Sequence, residues 1–461
     1  MNSHQPRVAS PGSVPAQLRG LIVKHGDHGW DEARQAWNLA VDQQPAAVAR
    51  PRTADDVIAI VAWARAEGLR IAAQGTGHGA SSLTSLGNTV LVKTARLSDV
   101  QIDPELLRAR VGAGTVWGDA VAAAAKFGLA ALAGSAPDVG VVGYTLGGGI
   151  SWLARRHGLA ANSVLAIELV TAAGGLVRAD HYHEPDLFWA LRGGGGALGV
   201  VTALEFELYP IAEVYAGTLF WPIEQAETVL NTWRAWADAS PADLTSCGRL
   251  INMPQLPSVP EPLRGRSFVV VEVAYLCSEA DAARHLSPLR ALRPEMDTVT
   301  TIPAAQLAGL HMDPDGPVPG AGNGILLDNL PPQAITALLA VAGHKTSSPL
   351  LSVEFRHLGA ALSRATSRAG ALPSIDAAYG MYAVGMAVTP DVKQAIDNRL
   401  GLLSEALSPW RSQHGYFNFD DRPGNAERLF PHATYQRLRT IKATYDPGDL
   451  FMSNHPIIPA T

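Results

Sequence analysis

The sequence predicts an α+β protein of two lobes. Strand-like and helix-like segments follow one another without the regular repeat of a parallel strand–helix–strand fold. Composition shifts after Pro210, and glycine and aromatic punctuation returns from Tyr416 onward. The lobes therefore read as 16–211 with 416–461 for the first and 212–415 for the second. At 461 residues the chain has room for two or three domains or one large bilobal unit.

The elements follow in order. Ala46 to Ala49 is a short apolar strand ended by Pro51. Thr53 is placed as an N-cap, with Asp55 and Asp56 in the first turn, where the helix dipole favours acids. Val57, Ile60, Val61 and Ala64 recur at helical spacing, and Gly68 ends the helix. Leu69 to Ala73, Thr89 to Lys93 and Arg108 to Val111 read as strands, and Val116 to Phe127 as an alanine-rich helix. Val164 to Thr171 and Leu176 to Ala179, joined through Gly174-Gly175, predict a hairpin. Val200 to Leu208 alternates apolar and polar residues up to Pro210. Helices over Ile223 to Ala237 and Asp281 to Leu289, a loop-rich stretch from Pro314 to Gly324, and strands over Phe268 to Tyr275, Leu350 to Leu358 and Tyr379 to Ala387 make the second lobe.

Hydrophobic residues are 47% and charged residues 17%, which suits a globular chain with a sizeable core. A net charge of −6 without a Lys/Arg block excludes a nucleic-acid groove or an anionic membrane surface. Cys247 and Cys277 fit neither a metal spacing nor a disulfide framework, so no metal is expected and a reduced compartment is. The first 15 or so residues read as ragged and carry no apolar targeting core, and no run reaches the length of a membrane span. A cytoplasmic location follows as the expectation.

Three glycine segments carry the functional signal. Gln74-Gly75-Thr76-Gly77-His78-Gly79-Ala80-Ser81-Ser82 holds a histidine between glycines after an apolar strand. Gly134 to Gly149 has six glycines in sixteen residues, with a helix expected from Ile150. Such bare main chain suits a pyrophosphate or an anionic ring system. The third segment is Arg192-Gly193-Gly194-Gly195-Gly196-Ala197-Leu198-Gly199-Val200-Val201-Thr202. Gly194 to Gly199 satisfies G-x-G-x-x-G, but a strand follows it, and Gly112-Ala113-Gly114 meets its third glycine at Gly118, one place late. Neither has the context of a dinucleotide fingerprint.

Together these segments resemble the FAD-linked oxidases of the berberine-bridge-enzyme-like group, within the wider vanillyl-alcohol-oxidase (PCMH-type) FAD fold. Residues 74–82 are similar to the family's R-x-G-G-H-S loop. Pro137-Asp138-Val139-Gly140 with Leu146-Gly147-Gly148-Gly149-Ile150 resembles its second flavin loop. Asp186-Leu187-Phe188-Trp189-Ala190-Leu191-Arg192-Gly193-Gly194 and Gly199-Val200-Val201-Thr202 are close to its wording. Tyr416-Phe417-Asn418-Phe419 resembles its Y-x-N-[YF] box, and Lys442-Ala443-Thr444-Tyr445-Asp446-Pro447-Gly448-Asp449-Leu450-Phe451 its closing segment, with Asp449 in place of asparagine.

The resemblance implies a two-lobed FAD-binding domain and a substrate domain whose antiparallel sheet is covered by helices. It implies an FAD cradle made of Gly75, Thr76, Gly77, His78, Gly79, Ala80, Pro137, Asp138, Val139, Gly140, Gly143, Tyr144, Thr145, Gly148, Gly149, Gly199, Val200, Val201, Tyr416 and Asn418. His78 would be bonded to the flavin 8α-methyl; the competing reading is a loop histidine beside non-covalent FAD. Thr76 stands where glycine is usual, and Gly79-Ala80 where serine is. Ala136 occupies the slot of the second covalent cysteine, so a single bond is expected. Val139 reads either as the residue that admits O₂ or as a plain core valine.

The implied activity is oxidation of an alcohol, sugar or natural product by hydride transfer to flavin N5, with O₂ as acceptor and H₂O₂ as product. Proton abstraction needs a base, and in many relatives it is the final tyrosine of the box, here Phe419. Glu354 is the replacement preferred here, with its pKa expected to be raised by an apolar strand. The alternative is a structural pair with Arg356 or His357. Alternation places Glu354 and Arg356 on one face and Val353 and Phe355 on the other. Tyr416 and Asn418 share a face of an expected strand near the flavin. Tyr144 is placed to bond the substrate or to pack, and Tyr379, Tyr382 and Trp221 are candidate pocket walls. Phe419 also leaves open a net non-redox cyclisation or isomerisation, or a degenerate ligand-binding relative.

Overall fold

The computed structural model describes residues 12–83, 85–257 and 259–460; most of the expected ragged start lies outside them. Three sheets organise the chain. The first has the strand order Ile22–Lys24, Ala47–Ala49, Thr89–Lys93, Arg70–Gln74, Phe451–Met452, parallel except at its first pair. The second is antiparallel: Val100–Asp103, Arg108–Gly112, Val200–Glu207, Val164–Val170, Leu176–Asp180. The third is antiparallel and runs Met296–Asp297, Glu213–Pro222, Ser267–Tyr275, Leu244–Asn252, Ser352–His357, Tyr379–Met386, Gly320–Leu327, with Thr300–Pro303 also on Glu213–Pro222.

Sequence and structure agree where local chemistry decides. Thr53 and Asp56 form a reciprocal capping box that starts the helix Ala54–Ala66. The hairpin of Val164–Val170 and Leu176–Asp180 forms. One face of the large sheet is sealed by the helices Ala226–Asp238, Pro332–Ala342 and Pro390–Ala406 through Trp221, Val229, Trp233, Leu338, Phe355, Tyr379 and Ile396. Its other face meets the first lobe, where Ala216, Cys247 and Ala274 pack against Ala130, Trp152 and Leu153.

Four expectations are corrected. No helix starts at Ile150: Gly148 and Gly149 take φ of 115° and 78°, and the helix is instead Val141–Leu146. Tyr416 to Asn418 is not a strand. Phe419 and Asp420 donate back to the Tyr416 carbonyl (3.0 and 3.1 Å) and close a 3₁₀ turn over Phe417–Phe419. The stretch 281–289 is two short helices, Glu279–His285 and Ser287–Arg290, because Pro288 has no amide to continue the first. The loop-rich stretch from Pro314 gives way at Gly320 to a strand. Its glycines face large neighbours: a Cβ at Gly322 would sit 2.5 Å from the Tyr382 hydroxyl, and one at Gly324 2.8 Å from Phe419.

The tail is locked to the first lobe by one buried cation. Lys442, fully buried, donates to the carbonyls of Ala197 (2.7 Å) and Phe451 (3.0 Å) and to Asp446 (2.5 Å). Removing it strands a buried carboxylate and two carbonyls. Lys442→Ala is expected to lower unfolding free energy by about 3–5 kcal/mol, measured as a shift of the urea midpoint. No helix among the described residues is long and apolar enough to cross a membrane.

Candidate active site

The strand Arg70–Gln74 delivers the histidine loop. Gly77, at φ 95°, lets the chain turn against Ala36, and Asn454 donates to the Gly79 carbonyl. His78 Nδ1 lies 2.7 Å from the Thr76 hydroxyl, and Nε2 lies 3.4 Å from Asp138 Oδ1. Trp37 stacks on the imidazole with centroids 3.9 Å apart and a 20° tilt. Its indole N–H donates to Asp138 Oδ2 at 2.5 Å, and its backbone N–H donates to the Thr76 carbonyl at 3.0 Å.

The second loop runs beside the first. Pro137 and Val139 accept at their carbonyls from the amides of Gly118 and Trp117, which fixes the backbone around Asp138. A Cβ at Gly140 would come no nearer than 3.9 Å to Thr76. The tail segment closes the same place from the far side. Tyr416 Oη accepts from Gly149 N–H (2.9 Å), and Asn418 donates to the Tyr144 carbonyl (2.9 Å). Burial pushes the Tyr416 phenol up, so it stays neutral here.

These residues fit the flavin cofactor. At Gly75, Gly140 and Gly143 an added Cβ would find nothing closer than 3.9 Å, so bare main chain borders open space there. At Gly112 and Gly114, by contrast, backbone lies within 2.3 Å of such a carbon, and those glycines serve packing. His78 Nε2 and Asp138 Oδ1 are buried without hydrogen-bond partners at the edge of the open main chain. Gly75, Thr76, His78, Asp138, Gly140 and Gly143, with Tyr416 and Asn418, would hold the group; a Cβ at Gly148 would sit 2.8 Å from Leu372 and one at Gly149 2.5 Å from Tyr144, so those two expected cradle glycines serve packing.

Other expected cradle residues serve the scaffold. Thr145 donates to the Val141 carbonyl within its own helix, and Ala80 is buried in the next turn of the histidine loop. Tyr144 donates its hydroxyl to the Leu132 carbonyl (3.1 Å) beneath Trp117, which leaves it packing. Val139 is half-buried against the core. Val200 and Val201 are core side chains, and a Cβ at Gly199 would sit 2.7 Å from the Val170 carbonyl.

On the inner face of the large sheet, register builds a charge network. Arg249 pairs with Glu354 and Glu354 with Tyr382; Glu272 pairs with Cys247 and Cys247 with Arg356. Arg249 reaches Glu272 at 2.8 Å. His311 bridges two carboxylates, with Nδ1 on Glu272 (2.7 Å) and Nε2 on Glu354. Arg356 Nε donates to the other Glu354 oxygen (2.7 Å) and Nη2 to Ser135 (3.2 Å), across the cleft. Cys247, His311 and Glu354 have donor atoms within 4.8 Å of one another, but Arg249 and Arg356 already supply the positive charge. A cavity beside this network is lined by Ser135, Ser151, Trp152, Thr245, Ser246 and Arg356.

Glu354 departs from expectation. Burial alone would raise its pKa, but Arg356, His311 and Arg249 outweigh it and hold the carboxyl well below the usual range. Both oxygens are engaged by cations, and the side chain is buried. This is the structural pair with Arg356, not a free base; His357 bonds Arg155 instead. Tyr379 and Trp221 lie in the helix-covered core and line no cleft.

Tyr382, three residues from Tyr379, falls on the inner face. It donates to Asp421 at 2.8 Å, and its ring lies 5.4 Å from that of Phe419. Burial and the neighbouring Asp420 push the Asp421 carboxyl up to about 7, against the opposing Tyr382 bond. Trp37, Arg249, Glu272, His311 and Asp421 were missed from sequence. The pair Asp420-Asp421 right after the aromatic box was a usable signal; Arg249, Glu272 and His311 meet only through strand register and a loop, which leave none.

Family models match in two places: a FAD binding domain over residues 45–180 and a berberine and berberine-like segment over residues 415–458. The chain is 35% identical to (R)-6-hydroxynicotine oxidase of Paenarthrobacter nicotinovorans over 215 residues, 46% of this chain and 47% of that protein, so this match spans about half of each. It is 27% identical to the FAD-linked oxidoreductase YgaK of Bacillus subtilis (strain 168), covering 96% of this chain and 98% of that one. The crystal structure of 6-hydroxy-D-nicotine oxidase from Arthrobacter nicotinovorans superimposes with a TM-score of 0.82 at 26% identity, covering 97% of this chain and all of that one. Chitooligosaccharide oxidase shares the fold at a TM-score of 0.80 and 23% identity, covering 96% and 98%.

The network predicts a pH dependence. Burial and Arg249 push the His311 imidazole down, but Glu272 and Glu354 outweigh them and hold it at about 9. The folded value lies above that of free imidazole, about 6.5. The stabilisation is therefore complete below about pH 6.5 and lost as pH rises through 9. Melting temperature is expected to fall from pH 7 to 10 in the wild type and to be lower but flatter over that range in His311→Gln, read by calorimetry.

Proposed function

We propose that this chain, a berberine-bridge-enzyme-like FAD-linked oxidase of PCMH-type fold, oxidises a small hydroxylated substrate held between the histidine loop and the inner sheet face. When bound, FAD supplies the hydride acceptor and hands the electrons to O₂, giving H₂O₂. The observation that carries this reading is the open main chain at Gly75, Gly140 and Gly143 beside His78, closed from the other side by Tyr416 and Asn418. The covalent bond to His78 belongs to the proposal, as does O₂ as acceptor, which is suggested by the relatives named as oxidases. A cytoplasmic setting is supported by two unpaired cysteines.

Within this site Arg356 offers a cation toward Ser135, suited to a substrate oxygen. A sugar substrate is suggested by the 32% identity, over 45% of this chain, to the glucooligosaccharide oxidase of Sarocladium strictum. The proton acceptor is Asp421 acting through Tyr382: the phenol takes the substrate proton as it passes its own to the carboxylate. An ionisable pair beside Phe419 removes the motive for a non-redox reading.

The reading is tested by mixing purified protein anaerobically with 6-hydroxynicotine, D-glucose, cellobiose and chitobiose. Bleaching of the flavin band, restored by O₂ with H₂O₂ release, is the expected result; protein that never carries flavin overturns it. The reductive rate is expected to rise as pH increases through about 7, where Asp421 ionises. In Asp421→Asn that limb disappears and the rate falls by about 10²–10⁴, followed by stopped-flow absorbance.

A further inference from the structure

His78 sits in a more elaborate setting than a tether requires. Its Nε2 faces Asp138 Oδ1 at 3.4 Å, and both atoms are buried without another partner. The second Asp138 oxygen is held by the Trp37 indole N–H at 2.5 Å, so the carboxylate cannot turn away. Trp37 also covers one face of the imidazole and fixes the Thr76 backbone. The Thr76 hydroxyl lies 2.7 Å from Nδ1.

Electrostatics select the tautomer. A proton on Nδ1 would turn the Nε2 lone pair toward a carboxylate oxygen, which repels it. A proton on Nε2 places a positive N–H dipole beside the same oxygen, 3.4 Å away and outside hydrogen-bond alignment, and the Thr76 O–H then donates to the free Nδ1 lone pair. Burial disfavours the charged Asp138, but His78 and Trp37 outweigh this and hold the carboxyl below its ordinary range. Asp138 is thus ionised at neutral pH, and its unpartnered oxygen lies on the Nε2 side of the imidazole.

We propose that Asp138 makes His78 nucleophilic toward the flavin, directing the covalent bond to Nδ1 while Asp138 accepts the Nε2 proton. This rests on the covalent reading given under Proposed function. In the step, the 8α-methyl carbon loses one hydrogen as a proton and forms a bond to Nδ1. The electron pair of that C–H bond passes to the isoalloxazine ring, which is reduced as it gains two protons. The Nε2 proton leaves to Asp138, so the alkylated imidazole ends neutral. O₂ then takes two electrons and two protons from the reduced ring and becomes H₂O₂. Thr76 guards the nucleophilic nitrogen until the ring arrives, and Trp37 keeps the imidazole plane and the carboxylate in register.

The test needs no substrate. Full-length protein freed of flavin by expression in a riboflavin-starved host is mixed with FAD in air. Attachment is followed by intact mass and by fluorescence of the denatured band. The wild type is expected to become fully modified and His78→Ala not at all. Asp138→Asn is expected to bind FAD, seen as a shifted visible spectrum, yet to attach it at least about tenfold more slowly, with partial recovery in Asp138→Glu. An unchanged attachment rate in Asp138→Asn overturns the proposal while leaving the covalent reading intact. Wild-type protein whose FAD is wholly released by acid overturns both. The flavinyl peptide from the wild type, analysed by NMR, is expected to carry the flavin on Nδ1. A bond at Nε2 overturns the inference even if every Asp138 variant misfolds.

Discussion

The antiparallel register at Glu354 is the constraint on which the rest of the site depends. It sets Arg249 on one side of Glu354 and Tyr382 on the other, and aligns Cys247 between Glu272 and Arg356. A slip of one residue would send Val353 and Phe355 into the cleft and drive Arg356 and Glu354 into the helix-covered core. That exchange is prohibitive, because an unpaired buried charge costs several kcal/mol. In the observed register Arg249, Arg356 and a protonated His311 face Glu272 and Glu354, and nearly every charged atom has an opposite within hydrogen-bond reach.

The placement of the cations explains why three carboxyls on neighbouring strands and turns behave differently. Glu354 is saturated by cations and is a fixed acceptor that aims Arg356. Asp420 is likewise buried but is clasped by Arg422 (3.1 Å) and Arg428 (2.8 Å), which hold it at about 2 against the effect of burial. Asp421, one residue on, has a phenol as partner and, among the described residues, no cation in ion-pair contact. Desolvation is then not cancelled, and its proton affinity moves toward neutrality. The same physical effect, burial, yields two structural anions and one titrating group, according to where the arginines lie.

Much of the fold was legible because its signals are local. The capping box at Thr53, the hairpin at Gly174-Gly175 and the alternation around Glu354 each depend on a few adjacent residues. The histidine loop and the second glycine loop were legible as well, since chain reversal and close approach select glycine. What failed was also physical. Glycines at 320, 322 and 324 read as loop, whereas they form a strand cleared for Phe419 and Tyr382. Tyr416 to Asn418 read as a strand, but its side chains bond inward to Gly149 and Tyr144, and this favours a turn. The expected rise in the Glu354 pKa considered burial alone, because the cations that reverse it come from other strands and from the loop carrying His311. Trp37 lies 41 residues before the histidine it covers, and no local pattern links the two.

The tail turn then settles how the two halves of the site stay aligned. Within six residues, Tyr416 and Asn418 bond the glycine loops, while Phe419 and Asp421 meet the inner face of the large sheet. The hydrogen bonds from Phe419 and Asp420 to the Tyr416 carbonyl make this segment one tight turn. The distance from open main chain to proton acceptor is therefore set by local backbone geometry and does not rely on how closely the lobes pack. Arg155 adds a second tie, donating from the first lobe to the carbonyls of Leu244 (2.7 Å), Ser240 and Leu358. A slight opening of the lobes would stretch the side chains of Arg356 and Ser135 across the cleft before it moved Asp421 relative to Gly149. Arg356 and Tyr382 belong to paired strands of the large sheet, so the cation and the phenol move together, while Asp421 keeps its place relative to Gly149.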